Sequence, residues 1–377
     1  MLETLKFGKG NWANKTDSTL AYSDQYGNFQ AIPFDFTRAT TATRVNKQGL
    51  IESVNDGIAR IDYSDSTQGA LLLEPERTNL IINSEDFSAS SWTKTGTASV
   101  TNNTTISPDG TQNADTLNLL SGNFFYQPVV GVGTFTMSCY VKVPSGTLDF
   151  KMQTFSSTDG AIQSPLFVAT TEWQRFEHTV TVTVNSSFYP IQVSSLVGGD
   201  FEIYGGQVEQ SSYATSYIPT NGATATRNGE FASNSNILSS MGQTEGTIFI
   251  DVISAEKDTE ILSFNRSSQN AFFLYTNASN NYRVSSYLDG TVRANTLISG
   301  NQRIKIAIAY EDNNQRLYVN GVLIQTYTDS WTPNQSMYRI FFNQGGYVAA
   351  KGKSNISALQ VFKTSLTDAQ LQTLTTI

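Results

Sequence analysis

A single cysteine and a single histidine in 377 residues exclude much chemistry before any motif is read. One cysteine cannot close an internal disulfide, and one histidine cannot build a histidine-cluster metal site. Any serine or cysteine nucleophile paired with an imidazole base would have to use His178. Charge is sparse as well. Ionised residues make up 15% of the chain, and 24 Lys and Arg against 32 Asp and Glu leave a net charge of -8. A nucleic-acid-binding face needs the opposite sign, so no nucleic-acid partner is expected. No apolar run approaches the ~20 residues of a membrane helix, and no membrane insertion is expected. The opening MLETLKFGKGNW lacks the apolar core of a secretory signal.

What the chain does have is aromatic residues, at 11%, with abundant Thr, Ser and Asn. Aromatic and β-branched residues favour strands, while Ser, Asn and Gly supply turns. That is the makeup of an outward-facing β protein. Without a signal or crosslinks, it fits assembly in a cytoplasm and later release by another route. The length exceeds one ordinary core, so two or three domains are expected.

Strand patterns are clearest near the carboxyl end. In RLYVNGVLIQTY, Asn320-Gly321 is a two-residue hairpin signal. Pairing Val319 with Val322 would set Leu317 opposite Ile324 and make one face wholly apolar. RIKIAIAY and GTIFIDVIS alternate in the same way. In the middle third, Phe135, Met137, Cys139, Val141 and Val143 share one phase, and Phe176, His178, Val180, Val182 and Val184 share another. In SLTDAQLQTL, Thr367 and Gln370 form a capping-box pattern, with Leu366 and Leu371 placed as its staple. In GALLLEPERTN, Leu71 to Leu73 cannot all face one side of a strand, so both faces must be covered.

LYVNGVLI and ISALQVFKTSLTDAQLQTL resemble the signature hairpin and the closing strand and helix of concanavalin A-like, laminin-G-type sandwiches. SEDFSASSW, SPDGTQNADTL, TEWQRF and YGGQVEQSSYATSYIPT recur in this order in jelly-roll carbohydrate-binding modules, a resemblance spanning about residues 84 to 220. FDFTRATTATRVNKQGLIESV, ARIDY and GALLLEPERTN are similar to the N-terminal segment of bacteriophage structural proteins. Together these imply an all-β chain in three parts: an N-terminal virion-attachment unit at 1–80, a jelly-roll β-sandwich at 81–228 and a concanavalin A-like β-sandwich at 229–377. Pro75 to Asn79 reads as the crossing into the jelly roll, and Ala225-Thr226-Arg227 as the second joint. A fragment starting near Glu230 is expected to fold alone.

Catalytic residues are not expected. His178 and Cys139 lie in the apolar phase of their strands, which makes them core positions. EKDTE, with Glu256, Asp258 and Glu260, matches the spacing of a glycosidase motif, but Lys257 and Thr259 stand where apolar residues should. The run reads as a solvated hairpin loop. Structural calcium is implied by the jelly-roll resemblance, with Glu85, Asp86, Asp109 and Asp115 as the nearby acids, although Asp109-Gly110 is equally good turn chemistry. Sugar-stacking candidates are Trp331, Tyr282, Tyr287 and Tyr347, which fall in or near turns; Trp173 reads as a core position. Arg38, Arg44, Arg60 and Arg77 are candidates for an assembly interface, because arginine suits bidentate pairing with carboxylates.

The expected function is that of a phage fibre, spike or decoration subunit. It would partner other virion proteins in a homo-oligomer, reside in the virion and display lectin-like domains to host-surface glycans. A pure assembly protein without glycan binding is the first alternative, and a polysaccharide-degrading enzyme the second.

Overall fold

The computed structural model describes residues 5–8, 12, 14–15, 18–23, 30–193, 196–264, 270–288, 291–300, 302–328, 339–343 and 352–377. Among these the chain is nearly all-β, the one helix being Asp368–Thr375. Contacts divide it into two compact units. Residues 1–49, 54–75 and 228–377 form the first, and residues 50–53 and 76–227 the second.

The first unit is organised about the strand Gly246–Ala255, which pairs antiparallel with Ile304–Glu311 and with Ser354–Phe362. Alternation divides its side chains between two environments. Ile248, Ile250 and Val252 join the main core with Ile304, Ile306 and Leu359, while Phe249 packs with Ala307, Phe362, Leu366 and the helix residue Leu371. The helix is capped as its sequence predicts. The Thr367 side chain accepts from Gln370 N, the Gln370 side chain accepts from Thr367 N, and the staple residues Leu366 and Leu371 are buried.

At the hairpin, Asn320 and Gly321 adopt φ of 48° and 81°, the left-handed pair that a two-residue turn needs. Val319 pairs with Val322 and Tyr318 with Leu323. Leu317 then pairs with Gln325 and not with Ile324, because the register shifts between Leu317 and Tyr318. An irregularity of this kind breaks the face alternation. The wholly apolar hairpin face does not form, and Val322, Leu323 and Ile324 are all exposed.

The N-terminal segment does not close a core of its own. Leu5–Gly8 pairs with Ser354–Phe362 through Leu5 and Val361, and Ala70–Leu73 pairs with the same strand through Leu71 and Ile356. Phe231–Asn234 pairs with Gln30–Thr37 on one edge and Ile340–Phe342 on the other. The short strands of residues 1–75 carry too little apolar surface to stand alone, and they gain it from the C-terminal strands. Both faces of the leucine run are thereby covered: Leu71, Leu72 and Leu73 are all buried.

The second unit contains two antiparallel sheets around one core. The first sheet orders Ser99–Thr105, Ala114–Leu119, Gly199–Glu209, Gly133–Lys142 and Gln174–Val182. The second orders Thr93–Lys94, Phe125–Val129, Ser186–Gln192, Leu148–Ser156 and Gly160–Gln163, with Phe167–Ala169 also pairing with Leu148–Ser156. Phe135, Met137, Cys139 and Val141 meet Phe150, Met152, Phe188 and Ile191 in the core. The two segments read as joints pair with each other: Arg77–Asn79 runs antiparallel to Ala225–Arg227, with the Thr78 and Thr226 hydroxyls 2.8 Å apart.

Candidate glycan-binding face

Alternation along three neighbouring strands decides which side chains reach the outer face of the six-stranded sheet. In Phe125–Val129, Phe125 and Val129 enter the core, which turns Tyr126 and Pro128 outward. In Leu148–Ser156, Phe150 and Met152 enter the core, which turns Lys151, Gln153 and Phe155 outward. In Ser186–Gln192, Phe188 and Ile191 are core residues, and a register shift sets Tyr189 opposite Gln153 and Gln192 opposite Lys151. Cross-strand pairs then make one row, in which Thr93 stands opposite Tyr126, Tyr189 opposite Gln153, and Gln153 opposite Gln163.

One half of this row is aromatic. The Tyr126 and Tyr189 rings lie 4.8 Å apart, and Phe124 meets Tyr189 edge-on at 6.1 Å. Such pairs add about 0.5–1.5 kcal/mol each and hold the rings in place. Phe124 is 36% exposed, whereas Tyr189 is nearly covered. Burial, with a smaller contribution from Tyr126, pushes the Tyr189 phenol above its ordinary value, so it stays neutral.

The other half is polar. Lys151 Nζ donates to Gln163 Oε1 at 3.1 Å, and Gln163 Nε2 donates to Gln153 Oε1 at 2.7 Å. An ammonium only donates, so the amide oxygen of Gln163 must face it, and this fixes the direction of the relay. Gln153 is 5% exposed. An apolar ring surface beside a row of amide groups matches a pyranose, which has a C–H face and a hydroxyl edge.

The residues singled out from the sequence lie elsewhere. Tyr282 is buried in the core of the first unit, its hydroxyl donating to Gln302 O at 3.2 Å, so it offers no ring face to a sugar. It occupies the inward phase of its strand, beside Val284. Tyr287 belongs to the strand Tyr282–Leu288, but its side chain lies outside the described residues, as do Trp331 and Tyr347. Trp173 is half-buried, donating to Ile106 O at 2.9 Å with Lys142 Nζ 5.2 Å from its ring centre.

The four acids are occupied by donors. Asp115 accepts from the backbone N–H groups of Phe87 and Asn103, and Asp86 from those of Ser88 and Ala89. Glu85 and Asp109 both accept from the Tyr204 hydroxyl at 3.2 Å. Among the described residues no group of three or more His, Cys, Asp or Glu is arranged to hold a metal.

Two of the assembly arginines are inside the first unit. Glu230 accepts from Arg38 Nη1 at 2.7 Å and from Arg60 Nε at 2.8 Å, and Arg60 Nη2 reaches Glu74 at 2.9 Å. All four side chains are wholly buried, which removes Arg38 and Arg60 from any interface. Desolvation works against the Arg60 charge, but Glu230 and Glu74 more than offset it and raise its pKa. Arg77 donates to the Tyr213 hydroxyl at 3.2 Å, and Arg44 is half-buried in the strand Ala42–Val45. His178 is half-buried, and burial lowers its pKa, as a core-edge position predicts.

Residues 235–372 match the Concanavalin A-like lectin/glucanases superfamily. No curated protein sequence matches the chain. Among solved structures, similar chains include the CBM40 module of a Ruminococcus gnavus IT-sialidase, at 19% identity over 36% of this chain and 85% of that one, with a TM-score of 0.30. Domain 4 of AbnA, an extracellular arabinanase from Geobacillus stearothermophilus, aligns at 14% identity over 44% of this chain and 83% of its own, with a TM-score of 0.34. The CBM22-1 xylan-binding domain from Paenibacillus barcinonensis aligns at 13% identity over 37% and 94%, with a TM-score of 0.28.

Sequence reasoning missed the face because it looked for aromatics in turns. The usable signal was phase: Tyr126 alternates with the core residue Phe125, and Lys151 and Gln153 alternate with Phe150 and Met152. The Tyr189–Gln192 spacing hides in sequence, since the register shift alone brings both outward.

Proposed function

We propose that this protein binds glycans without cleaving them, and that the outer face carrying Phe124, Tyr126, Tyr189, Gln153 and Gln163 is where it holds them. The observation that carries the reading is the Tyr126–Tyr189 ring pair set in one cross-strand row with the Gln153–Gln163 amides. The match of residues 235–372 to a lectin-containing superfamily supports the same class of activity. The resemblance of residues 34–79 to phage structural proteins supports placing that activity on a virion, as an adhesion component of a fibre, spike or decoration protein. Its partners would be other virion proteins and further copies of itself.

The test is calorimetry of the full chain against a panel of plant, bacterial and animal oligosaccharides. Tyr126→Ala should weaken binding at least tenfold while the melt stays cooperative and falls by no more than the loss of one aromatic pair, about 0.5–1.5 kcal/mol. A panel with no binder, or a Tyr126→Ala variant that binds as well as the parent, would overturn the site. Immunogold labelling of particles checks the virion placement, and light scattering of the pure protein checks self-association.

A further inference from the structure

We propose that the second unit closes a covalent crosslink on itself, an ester between the Thr215 hydroxyl and the Gln207 side chain, formed with loss of ammonia. It stands independently of glycan binding. Alternation along the strand Gly199–Glu209 sets up the site. Val208 enters the core, which turns Gln207 and Glu209 together to the other face of their sheet, beside Ser138 and Thr136. The segment that follows lies over this face, with the Thr136 hydroxyl donating to Ser211 O at 3.0 Å. Gln207, Glu209, Thr215 and Arg227 are each no more than 1% exposed.

Glu209 gathers both reacting groups on one carboxylate. Its Oε1 accepts from the Thr215 hydroxyl, and its Oε2 accepts from Gln207 Nε2 at 2.8 Å and from Thr215 N at 2.9 Å. Gln207 Nε2 also lies 3.4 Å from Thr215 O, so the carboxamide sits against the residue that attacks it. Arg227 Nη1 donates to Thr215 Oγ1 at 3.1 Å, and Ile218 N donates to Gln207 Oε1 at 2.7 Å.

Each contact has a place in an acyl transfer. A carboxylate on a hydroxyl is a general base that activates the nucleophile. A guanidinium on the same oxygen favours its anionic form, and an N–H on the amide oxygen faces the charge that develops there. Thr215 Oγ1 forms a bond to Gln207 Cδ as its proton passes to Glu209. The tetrahedral carbon then breaks its bond to Nε2, which takes that proton from Glu209 and leaves as ammonia. One ester and one ammonia result, Glu209 is again a carboxylate, and no oxidant or cofactor enters. Escape of ammonia draws the reaction forward, and burial shields the ester from water. A merely structural contact between a threonine and a glutamine needs no carboxylate between them, and burying one is costly.

The test is the intact mass of the full chain, denatured after purification and followed until it stops changing. The parent should be lighter than its sequence by one ammonia. Thr215→Val, Gln207→Leu and Glu209→Gln should each keep the full sequence mass, and Thr215→Ser should still lose ammonia. Cleavage after Glu209 at mildly acidic pH cuts between the two partners and should leave the fragments joined. Hydroxylamine, which cuts esters and spares amides, should then part them. A parent of full sequence mass overturns the proposal whether or not the variants fold. Ammonia loss that persists in Thr215→Val, or fragments that separate without hydroxylamine, overturns it too, because the loss then arises elsewhere in the chain.

Discussion

Arg60 donates through Nε to Glu230 Oε1 at 2.8 Å across 170 residues of sequence, and both side chains are wholly buried. Glu230 also receives Arg38, so one carboxylate ties two N-terminal arginines to the C-terminal part of the first unit. Removing one member of a buried charge network strands the others, at a cost of about 3–5 kcal/mol. Glu230→Ala should therefore destabilise the first unit by about that amount, read as hydrogen-exchange protection over residues 228–377. For the same reason a fragment beginning at Glu230 should not fold alone, contrary to what its own hairpin and capped helix suggest. It would lack Arg38 and Arg60 as well as the strands Leu5–Gly8 and Ala70–Leu73 that border Ser354–Phe362. A cooperative melt of the isolated fragment would refute this.

Local patterns carried the strands and the cap. Phe135, Met137, Cys139 and Val141 are buried together as their phase requires, and the Thr367–Gln370 box forms, because each depends only on neighbours in sequence. Long-range partnership was not legible. Nothing in ARIDY or ALLL says that Arg60 will meet Glu230 or that Leu71 will meet Ile356. The outer face of the six-stranded sheet lay between these extremes: the outward phase of Tyr126 was readable, but its meeting with Tyr189 depends on which strands are neighbours.

Cys139 should be chemically silent while its sandwich is folded. Burial pushes its thiol up to about 12, with only a small opposing effect from Arg175, so thiolate is scarce at pH 8. A thiol-reactive dye at pH 8 should leave the native protein unlabelled and react with one group per chain in guanidinium. Because thiolate and access both require opening, the labelling rate would report unfolding of the second unit. Rapid labelling of the native protein would contradict this packing.

Acid should act on Asp109 and Asp115 with opposite signs. Burial raises the Asp109 pKa, but hydrogen bonds from Ser107, Thr111 and Asn113 more than offset it and hold it below the usual range. A depressed carboxylate contributes stability above its unfolded pKa of about 3.9, lost as pH falls through the folded value. Asp115 is raised by burial despite the N–H groups of Asn103 and Phe87. Its contribution is present in acid and lost as pH rises through the folded value. Asp109→Asn should therefore lose stability relative to the parent at pH 6, begin to regain it as pH falls below about 4, and reach parity only below the depressed folded value. Asp115→Asn should improve relative to the parent as pH rises. Thermal melts from pH 3 to 7 measure both, and parallel curves for parent and variants would sink the assignment.

The three acids of EKDTE should separate on mutation. The segment between the strands Gly246–Ala255 and Glu260–Phe264 does turn, with Asp258 at φ 54° and the Thr259 hydroxyl donating to Glu256 O at 2.7 Å. Glu260 is not part of that solvated turn. It is wholly buried, and its Oε1 accepts from the Ser263 hydroxyl at 2.8 Å. Replacing it with Gln keeps the size but alters a buried hydrogen-bonded group, at a cost of about 1–3 kcal/mol. Glu256→Gln should cost less than Glu260→Gln, since Glu256 is only half-buried. Asp258→Asn should match it, since Asn tolerates the left-handed conformation as well as Asp. The combined variant is thus expected to be destabilised, chiefly through Glu260, and not to be silent. Urea denaturation of the three single variants measures the order. An equal loss at Glu256 or Asp258 would show that the turn is doing structural work these contacts do not contain, and reducing ends released by the parent but not by the Glu260→Gln variant would make the run catalytic.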